Sequence, residues 1–260
     1  MRHSRRQGLS VRLAGSVAAA ALAALAAGLP SLASEFATGT RRDAEFGFAR
    51  LMYSDGRGFG SWRGAWLVDY PEAEYHFTQG IERLTRVDIG EPVMIDLAQD
   101  SLFDHPWLYA VEVGRWYLSD FEAERLREYL LRGGFLMVDD FHGTYEWAVF
   151  MESMRRVFPD RPLVDIPDED PIMHVLYDVD ERIQIPGIFP IMQGITYEQD
   201  GVTPVWRGIY DDAGRLMVVV NHNMDLGDAW EHADDPRYPQ PMTTLAYRFA
   251  ANYVLYAMTH

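Results

Sequence analysis

One segment near the middle of the chain constrains the fold more than any other. Ser119 and Glu122 form a capping-box pair, the amphipathic run 121–131 continues as a helix, and Gly133-Gly134 ends it. The apolar run 135–138 follows the glycines directly. Strands that are apolar on both faces are typical of parallel sheets covered by helices on both sides. The segment therefore predicts an α/β protein with a buried, mostly parallel sheet.

Runs with the length of strands alternate with amphipathic runs along most of the chain. The predicted strands cover residues 46–53, 93–97, 108–113 and 135–138, and the predicted helices cover residues 70–87, 121–131, 144–158 and 243–258. Residues 205–220 predict a β-hairpin, whereas the prolines between residues 159 and 204 predict loops with short elements. This order favours one domain over residues 46–260, a three-layer sandwich around a doubly wound, mostly parallel sheet with an antiparallel edge.

The composition excludes several classes of chemistry. The 260 residues contain no lysine and no cysteine. Schiff-base lysines, the lysine of a phosphate-binding loop, thiol nucleophiles, disulfides and thiolate metal sites are therefore impossible, and a metal would need oxygen and imidazole ligands. The net charge of −16 repels phosphate backbones and anionic lipid headgroups, so we expect no nucleic-acid partner.

The N-terminal residues have the pattern of an export signal. Arg2, Arg5 and Arg6 precede an alanine-rich apolar run over residues 13–29, and small residues at 31–33 suit signal peptidase. Residues 1–33 thus predict a signal peptide of the ordinary or the twin-arginine type, followed by a polar linker over residues 34–45. Uncleaved, the same run would be a membrane anchor. After cleavage we expect a periplasmic or extracellular protein with no stable membrane insertion.

Several segments together resemble an uncharacterised family, number 4159 among the domains of unknown function. They are Phe48-Ala49-Arg50-Leu51, Pro106-Trp107-Leu108-Tyr109, Leu126-Arg127-Glu128-Tyr129-Leu130, Gly133-Gly134-Phe135-Leu136-Met137-Val138-Asp139-Asp140, Asn221-His222-Asn223 with Asp225-Leu226-Gly227, and Asn252-Tyr253-Val254-Leu255-Tyr256-Ala257. The resemblance implies a flavodoxin-like sandwich similar to class I glutamine amidotransferases.

The resemblance does not carry the amidotransferase activity with it. Those enzymes use a cysteine nucleophile, and this chain has neither a cysteine nor a Gly-x-Ser-x-Gly elbow that would supply a serine instead. Members of the family lie in gene clusters with ATPases and von Willebrand factor A proteins, which implies an accessory role in the cell envelope. The expected partner is an envelope protein or a small ligand.

Polar side chains follow most of the predicted strands at their carboxyl ends, where open parallel sheets bind ligands. The candidate ligand-binding residues are Tyr53, Asp55, Asp139, Asn221, Asn223 and Asp225, and the candidate catalytic residues are Asp140 and His142. Two functions fit this set. One is a ligand- or partner-binding accessory module of the envelope. The other is a metal-assisted hydrolase with a divalent metal on Asp140, His142 and His174.

Structural interpretations stand beside these functional ones. Asp139 and Asp140 would equally cap a helix, and Asn221, Asn223 and Asp225 would equally stabilise a tight loop. The family more often has a histidine at the position of Asp170, so a two-histidine site with His174 would lack one ligand here. The acidic stretch 225–235 does not have EF-hand spacing and predicts a solvated loop.

Overall fold

The computed structural model describes residues 44–55 and 64–260; the predicted leader, most of the polar linker and most of the glycine-rich loop lie outside the described residues. The strands are β1 (Ala49–Met52), β2 (Ser54–Asp55), β3 (Val93–Asp96), β4 (Trp107–Val111), β5 (Trp116–Tyr117), β6 (Phe135–Asp139), β7 (Val164–Asp165), β8 (Val205–Tyr210) and β9 (Leu216–His222). The α-helices are α1 (Glu72–Thr85), α2 (Asp120–Leu131), α3 (Gly143–Val157), α4 (Ile188–Met192), α5 (Leu226–Glu231) and α6 (Gln240–Thr259).

Seven of the strands form one sheet in the order β3-β1-β4-β6-β9-β8-β7. The five strands from β3 to β9 are mutually parallel, and β8 is antiparallel to both β9 and β7. The remaining strands, β2 and β5, pair with each other. The mostly parallel sheet with an antiparallel edge, predicted from the sequence, is therefore confirmed.

Helices cover both faces of the sheet because successive side chains of a strand point to opposite sides. Trp107, Tyr109 and Val111 of β4 belong to one buried cluster, which includes side chains of α1, α5 and α6. Leu108 and Ala110 belong to the other cluster, which includes side chains of α2 and α3. The chain is thus an α/β protein with a core on each side of the sheet. Within the described residues, no helix has both the length and the apolar character needed to cross a membrane.

Local sequence signals located most of the elements. The predicted capping box is present, because the Ser119 hydroxyl accepts from the Glu122 backbone N–H while the Glu122 carboxylate accepts from the Ser119 N–H. The prediction of a solvated loop over residues 225–235 is wrong. Its first part forms α5, and Asp225 and Asp228 are buried there.

Candidate functional site

Three aspartates from distant parts of the chain meet at the carboxyl edge of the sheet. Asp69 lies in the loop that leads from β2 to α1, Asp140 follows β6, and Asp225 precedes α5 just after β9. Each offers a carboxylate oxygen that lies within 4.8 Å of the other two. Asp140 and Asp225 keep only 8% and 5% of their surface exposed, and Asp69 is half-buried. We call these three residues the aspartate triad.

Asp139 is not a member of the triad; it has a structural role at the start of α5. Its Oδ2 accepts hydrogen bonds from the backbone N–H groups of Leu226 (2.8 Å) and Gly227 (3.0 Å) and from the Tyr109 hydroxyl (3.3 Å). Burial, and then the charge of Asp140, raise the pKa of Asp139 to about 8. Its second oxygen, Oδ1, is buried without a hydrogen-bond partner among the described residues. Asp139 therefore anchors the start of α5 to the end of β6.

Asp140 pairs with a buried histidine. Its Oδ1 lies 3.1 Å from Nε2 of His142, and the His142 backbone N–H donates to Oε2 of Glu146 at 2.6 Å. Burial lowers the pKa of His142, but the hydrogen bond to Asp140 and the negative charges of Asp140, Glu198 and Glu146 raise it above its usual value. Nδ1 of His142 is buried and has no partner among the described residues. His142 is therefore a buried ionisable side chain held against one member of the triad.

Further acids surround the triad, and burial together with their mutual repulsion favours the protonated form of several of them. Burial, and then the charge of Asp140, raise the pKa of Glu112 to about 9, although Arg115 lies 3.2 Å from its carboxylate. Burial also raises the pKa of Glu198 and raises that of Asp228 to about 6. The buried Arg50 is bound to Glu74 and to the backbone carbonyls of Trp66 and Val68. Its charge lowers the pKa of Asp69, but burial and the neighbouring acids outweigh it and hold that pKa well above its usual value.

Two glycines let the backbone approach the carboxylates closely. A Cβ atom on Gly227 would overlap Asp69 Oδ2. On Gly187, which precedes α4, it would lie 2.8 Å from Asp225 Oδ2 and 2.9 Å from Asp228 Oδ2. Because real Cβ atoms are not found so close to oxygen, any larger residue at either position would displace the acids.

Left-handed backbone is concentrated around the same edge. Asp69 (φ +64°), Glu112 (φ +54°), Asp140 (φ +50°) and Asn223 (φ +64°) all adopt it. The conformation is unfavourable for side chains with a Cβ, least so for Asp and Asn, and it persists only where surrounding contacts impose it. Such outliers occur most often at functional sites. Here the four residues with left-handed backbone are two members of the triad, Asp69 and Asp140, and two nearby residues, Glu112 and Asn223.

The family relationship follows from a comparison with protein-family models. The model described as Domain of unknown function (DUF4159) matches residues 47–258. The chain belongs to the DUF4159 family. No curated protein matches the chain. The matched region includes the whole aspartate triad, so the site is part of the DUF4159 domain itself.

The other predicted site residues of this DUF4159 domain have structural partners. The Tyr53 hydroxyl donates to the carbonyls of Val111 (2.7 Å) and Glu112 (2.9 Å), which fixes the turn after β4. Oδ1 of Asn221 accepts from the Tyr253 hydroxyl at 3.0 Å. The strand position of Asp55 is described, in β2, but its side chain lies outside the described residues.

Asn223 and His174 are likewise engaged. The Asn223 side chain accepts from the Gly143 N–H at 2.8 Å and donates to the Thr203 carbonyl at 2.7 Å. Both ring nitrogens of His174 are occupied, one by Asp178 at 2.9 Å and the other by the Asp168 carbonyl at 2.8 Å. With those contacts in place, His174 has no ring nitrogen free for a metal on Asp140.

The sequence did not single out several acids of the DUF4159 site. Asp69, Glu146 and Glu198 lie in loops or on a helix rather than directly after a strand of the large sheet. One signal was available for Asp69. The loop from the first strand to the first helix of a doubly wound sheet always crosses the carboxyl edge, so polar residues anywhere in that loop are candidates.

Proposed function

We propose that this DUF4159 domain is a binding module that takes up a cation at the carboxyl edge of its sheet. The observation that carries the proposal is the aspartate triad: three carboxylates, two of them buried, whose oxygens lie within 4.8 Å of one another. Among residues 44–55 and 64–260, no arginine forms an ion pair with any of the three. His142, on Asp140, is the one basic partner described there.

Elementary electrostatics favours a bound cation. Two carboxylates about 5 Å apart repel each other by about 3 kcal/mol at an effective dielectric constant of about 20, and burial adds a desolvation cost for each charge. A protein can relieve that cost with protons or with a cation. A cation also leaves the carboxylates ionised, and it gains the full attraction of all three.

The order of the strands supports the finer assignment of the fold and the place of the site. Counted along the chain, the five parallel strands lie in the order second, first, third, fourth, fifth, which is the order of flavodoxin-like sheets. In such sheets the ligand crevice lies where the order reverses, which is between β1 and β4 here. Asp69 and Glu112 lie in the loops that follow those two strands. We propose a flavodoxin-like fold of the amidotransferase type that uses this crevice for binding.

We further propose that the domain acts outside the cytoplasm, as an accessory module of the cell envelope. The leader pattern of residues 1–33 supports export. The absence of cysteine supports an accessory role, because it removes the nucleophile that amidotransferases of this fold use.

The test is thermal unfolding of the mature chain with a panel of cations that includes Mg²⁺, Mn²⁺, Ca²⁺, agmatine and spermidine. At least one should raise the melting temperature, because a ligand that binds only the folded state stabilises it. Asp140→Asn should melt within a few degrees of the parent without cation, since asparagine tolerates the left-handed backbone, and should lose the cation-dependent rise.

Asp178→Asn is the matched control. Asp178 is an exposed aspartate that pairs with His174, whereas Asp140 is a buried aspartate that pairs with His142. Asp178→Asn should keep the cation-dependent rise in melting temperature. The proposal fails if no cation stabilises the parent, or if Asp140→Asn responds as the parent does.

A second candidate is a metal-assisted hydrolase, and the observation that favours it is the buried His142 on Asp140. In this reaction Asp140 and Asp225 would hold the metal that activates water, and His142 would carry the proton. Asn223 is less suitable as a ligand, because both ends of its amide are bonded to backbone. His142→Gln should then abolish turnover of ester, amide or glycan substrates while the cation-dependent rise in melting temperature is kept. Turnover that persists in this variant contradicts the assignment.

A further inference from the structure

We propose that the cation is a single divalent metal ion with oxygen ligands, bound directly by Asp69, Asp140 and Asp225. This inference rests on the proposed function and names its ligand. It adds Asp69, a residue outside every predicted strand end, to the site.

The spacing of the three oxygens suits one ion. A point can be found within about 2.8 Å of all three, because no two are more than 4.8 Å apart, and a shift of a few tenths of an ångström would give the 2.3–2.6 Å distances of Ca²⁺. Slightly larger shifts would give the 2.0–2.1 Å distances of Mg²⁺. Each aspartate comes from a different loop, so the ligands can adjust independently.

Buried oxygens without partners are the second observation. Asp69 Oδ2 is shielded from solvent and has no hydrogen-bond partner among the described residues. The same holds for Oδ1 of the neighbouring Asp139, a residue that is fully buried. A desolvated oxygen without a donor is costly, and a cation held by the triad would remove that cost for Asp69 Oδ2.

The surroundings favour a compact ion over an organic cation. The backbone at Gly187 is packed against Asp225 Oδ2, and the backbone at Gly227 is packed against Asp69 Oδ2. Asp225 Oδ1 is also taken by the Asp228 N–H at 2.7 Å. A compact ion can contact all three oxygens at once, because they lie within 4.8 Å of one another, whereas the planar fork of a guanidinium would have to align its donors with all three.

The donor set favours a hard metal. All three direct ligands are carboxylates, the combination that suits Mg²⁺, Ca²⁺ and Mn²⁺ rather than Cu²⁺ or Zn²⁺. His142 lies behind Asp140 and contacts its Oδ1, so it would orient that ligand. Asp228 Oδ2 and Glu198 Oε1 lie 2.9 and 3.3 Å from where a Cβ on Gly187 would lie, close to Asp225 Oδ2. Asp228 Oδ2 already accepts from the Ile188 N–H at 2.6 Å, so Glu198 is the neighbouring acid whose charge would add to the attraction for the ion.

The test is titration of metal-free mature protein with Mn²⁺, followed by calorimetry and by the electron paramagnetic resonance signal of free Mn²⁺, with Mg²⁺ and Ca²⁺ as competitors. One Mn²⁺ should bind per chain. Asp69→Asn should weaken binding at least tenfold and keep the melting temperature of the metal-free parent, because asparagine tolerates its left-handed backbone and no hydrogen bond to its side chain is lost. Glu198→Gln should weaken binding less, and Asp178→Asn should leave it unchanged.

The outcomes separate this inference from the proposed function. If Mn²⁺, Mg²⁺ and Ca²⁺ all fail to bind while agmatine or spermidine stabilises the parent and not Asp140→Asn, the metal assignment is wrong and cation binding stands. If Mn²⁺ binds equally to the parent and to Asp69→Asn, the aspartate triad is not its site. If neither metals nor organic cations bind, both proposals fall.

Discussion

The adjacent residues Asp139 and Asp140 have different roles at the end of β6. Asp139 is fully buried and binds two backbone N–H groups of α5, whereas Asp140 turns into left-handed backbone and joins the aspartate triad. Because neighbouring side chains leave a strand on opposite faces, only one of the pair can face the ligand crevice. The partner of Asp139 could not be predicted, since α5 lies nearly 90 residues further along the chain.

Asp139 should tolerate asparagine and not alanine. Asparagine keeps an oxygen for the N–H groups of Leu226 and Gly227, so Asp139→Asn should change the free energy of unfolding by about 1 kcal/mol or less. Alanine leaves three buried donors, the N–H groups of Leu226 and Gly227 and the Tyr109 hydroxyl, without this acceptor and opens a cavity, at a cost of about 2–4 kcal/mol. Urea unfolding of both variants measures the difference, and equal costs would show that these hydrogen bonds do not hold α5.

A buried histidine should make the domain sensitive to acid. His222 packs against the rings of Phe141 and Trp147, with centroids 4.7 Å away in both cases, and its Nε2 lies 3.2 Å from the Gly143 carbonyl. Burial lowers the pKa of His222 to about 4, well below its usual value near 6.5. The folded state therefore resists protonation. The stability that comes from neutral His222 is complete above pH 6.5 and is lost as the pH falls towards 4.

His222→Gln tests this acid sensitivity. Between pH 7 and pH 4.5 the parent should lose about 2.4 kcal/mol more unfolding free energy than the variant, because the pKa of His222 is about 2.5 lower in the folded than in the unfolded state. The variant should be less stable than the parent at pH 7, but its unfolding free energy should change less with pH. Parallel profiles in urea unfolding would assign the acid sensitivity to other groups.

At the scale of elements, regular patterns were predictable and α5 was not. Alternating apolar runs, the capping box at Ser119 and the hairpin of β8 and β9 are all encoded within short windows of sequence. The six residues of α5 contain two acids, and the acidic sequence around them predicts a solvated loop. They form a buried helix because Asp139 and Asp225 bind its first N–H groups and because Trp230 packs on Phe77 of α1. Those partners are supplied by tertiary structure.

Gly227→Ala should destabilise the protein, whereas replacing a glycine by alanine inside a helix ordinarily stabilises it. Alanine normally stabilises a helix by about 1 kcal/mol relative to glycine. At position 227 the added Cβ overlaps Asp69 Oδ2, so we expect a loss of about 1–3 kcal/mol and at least tenfold weaker cation binding. Gly47→Ala is the control, because a Cβ there meets nothing within 4 Å. A more stable Gly227→Ala protein with normal binding would mean that the close approach is not required.

At the scale of the whole molecule, the sequence predicted the architecture and the edge that carries the site, but only part of the site. Apolar runs define strands, and chain order implies a parallel sheet, so the carboxyl edge could be located in advance. Asp140 and Asp225 were found that way. Asp69, Glu146 and Glu198 were not, because Asp69 and Glu198 lie in loops and Glu146 lies inside α3, and only long-range contacts such as Gln199 to Glu146 at 2.6 Å bring such residues to the edge.

The leader prediction can be tested on the whole protein. Residues 1–33 should be removed on export, so that the mature chain begins at Ser34. Intact-mass measurement of protein from the exported fraction checks this directly, with a variant in which Ala33 is replaced by arginine as the control that blocks cleavage. A full-length mass in the membrane fraction would mean that the segment is kept as an anchor.

The aspartate triad has a consequence for a chain that contains no cysteine. Exported proteins often depend on disulfides, which work largely by restricting the unfolded chain, and this protein cannot form one. An ion shared by Asp69, Asp140 and Asp225 would be a cross-link in the same sense, closing two successive loops of about 70 and 85 residues. Unlike a disulfide it would be insensitive to the redox potential and reversible with the metal concentration. The protein's resistance to unfolding and proteolysis would then depend on the concentration of the ion.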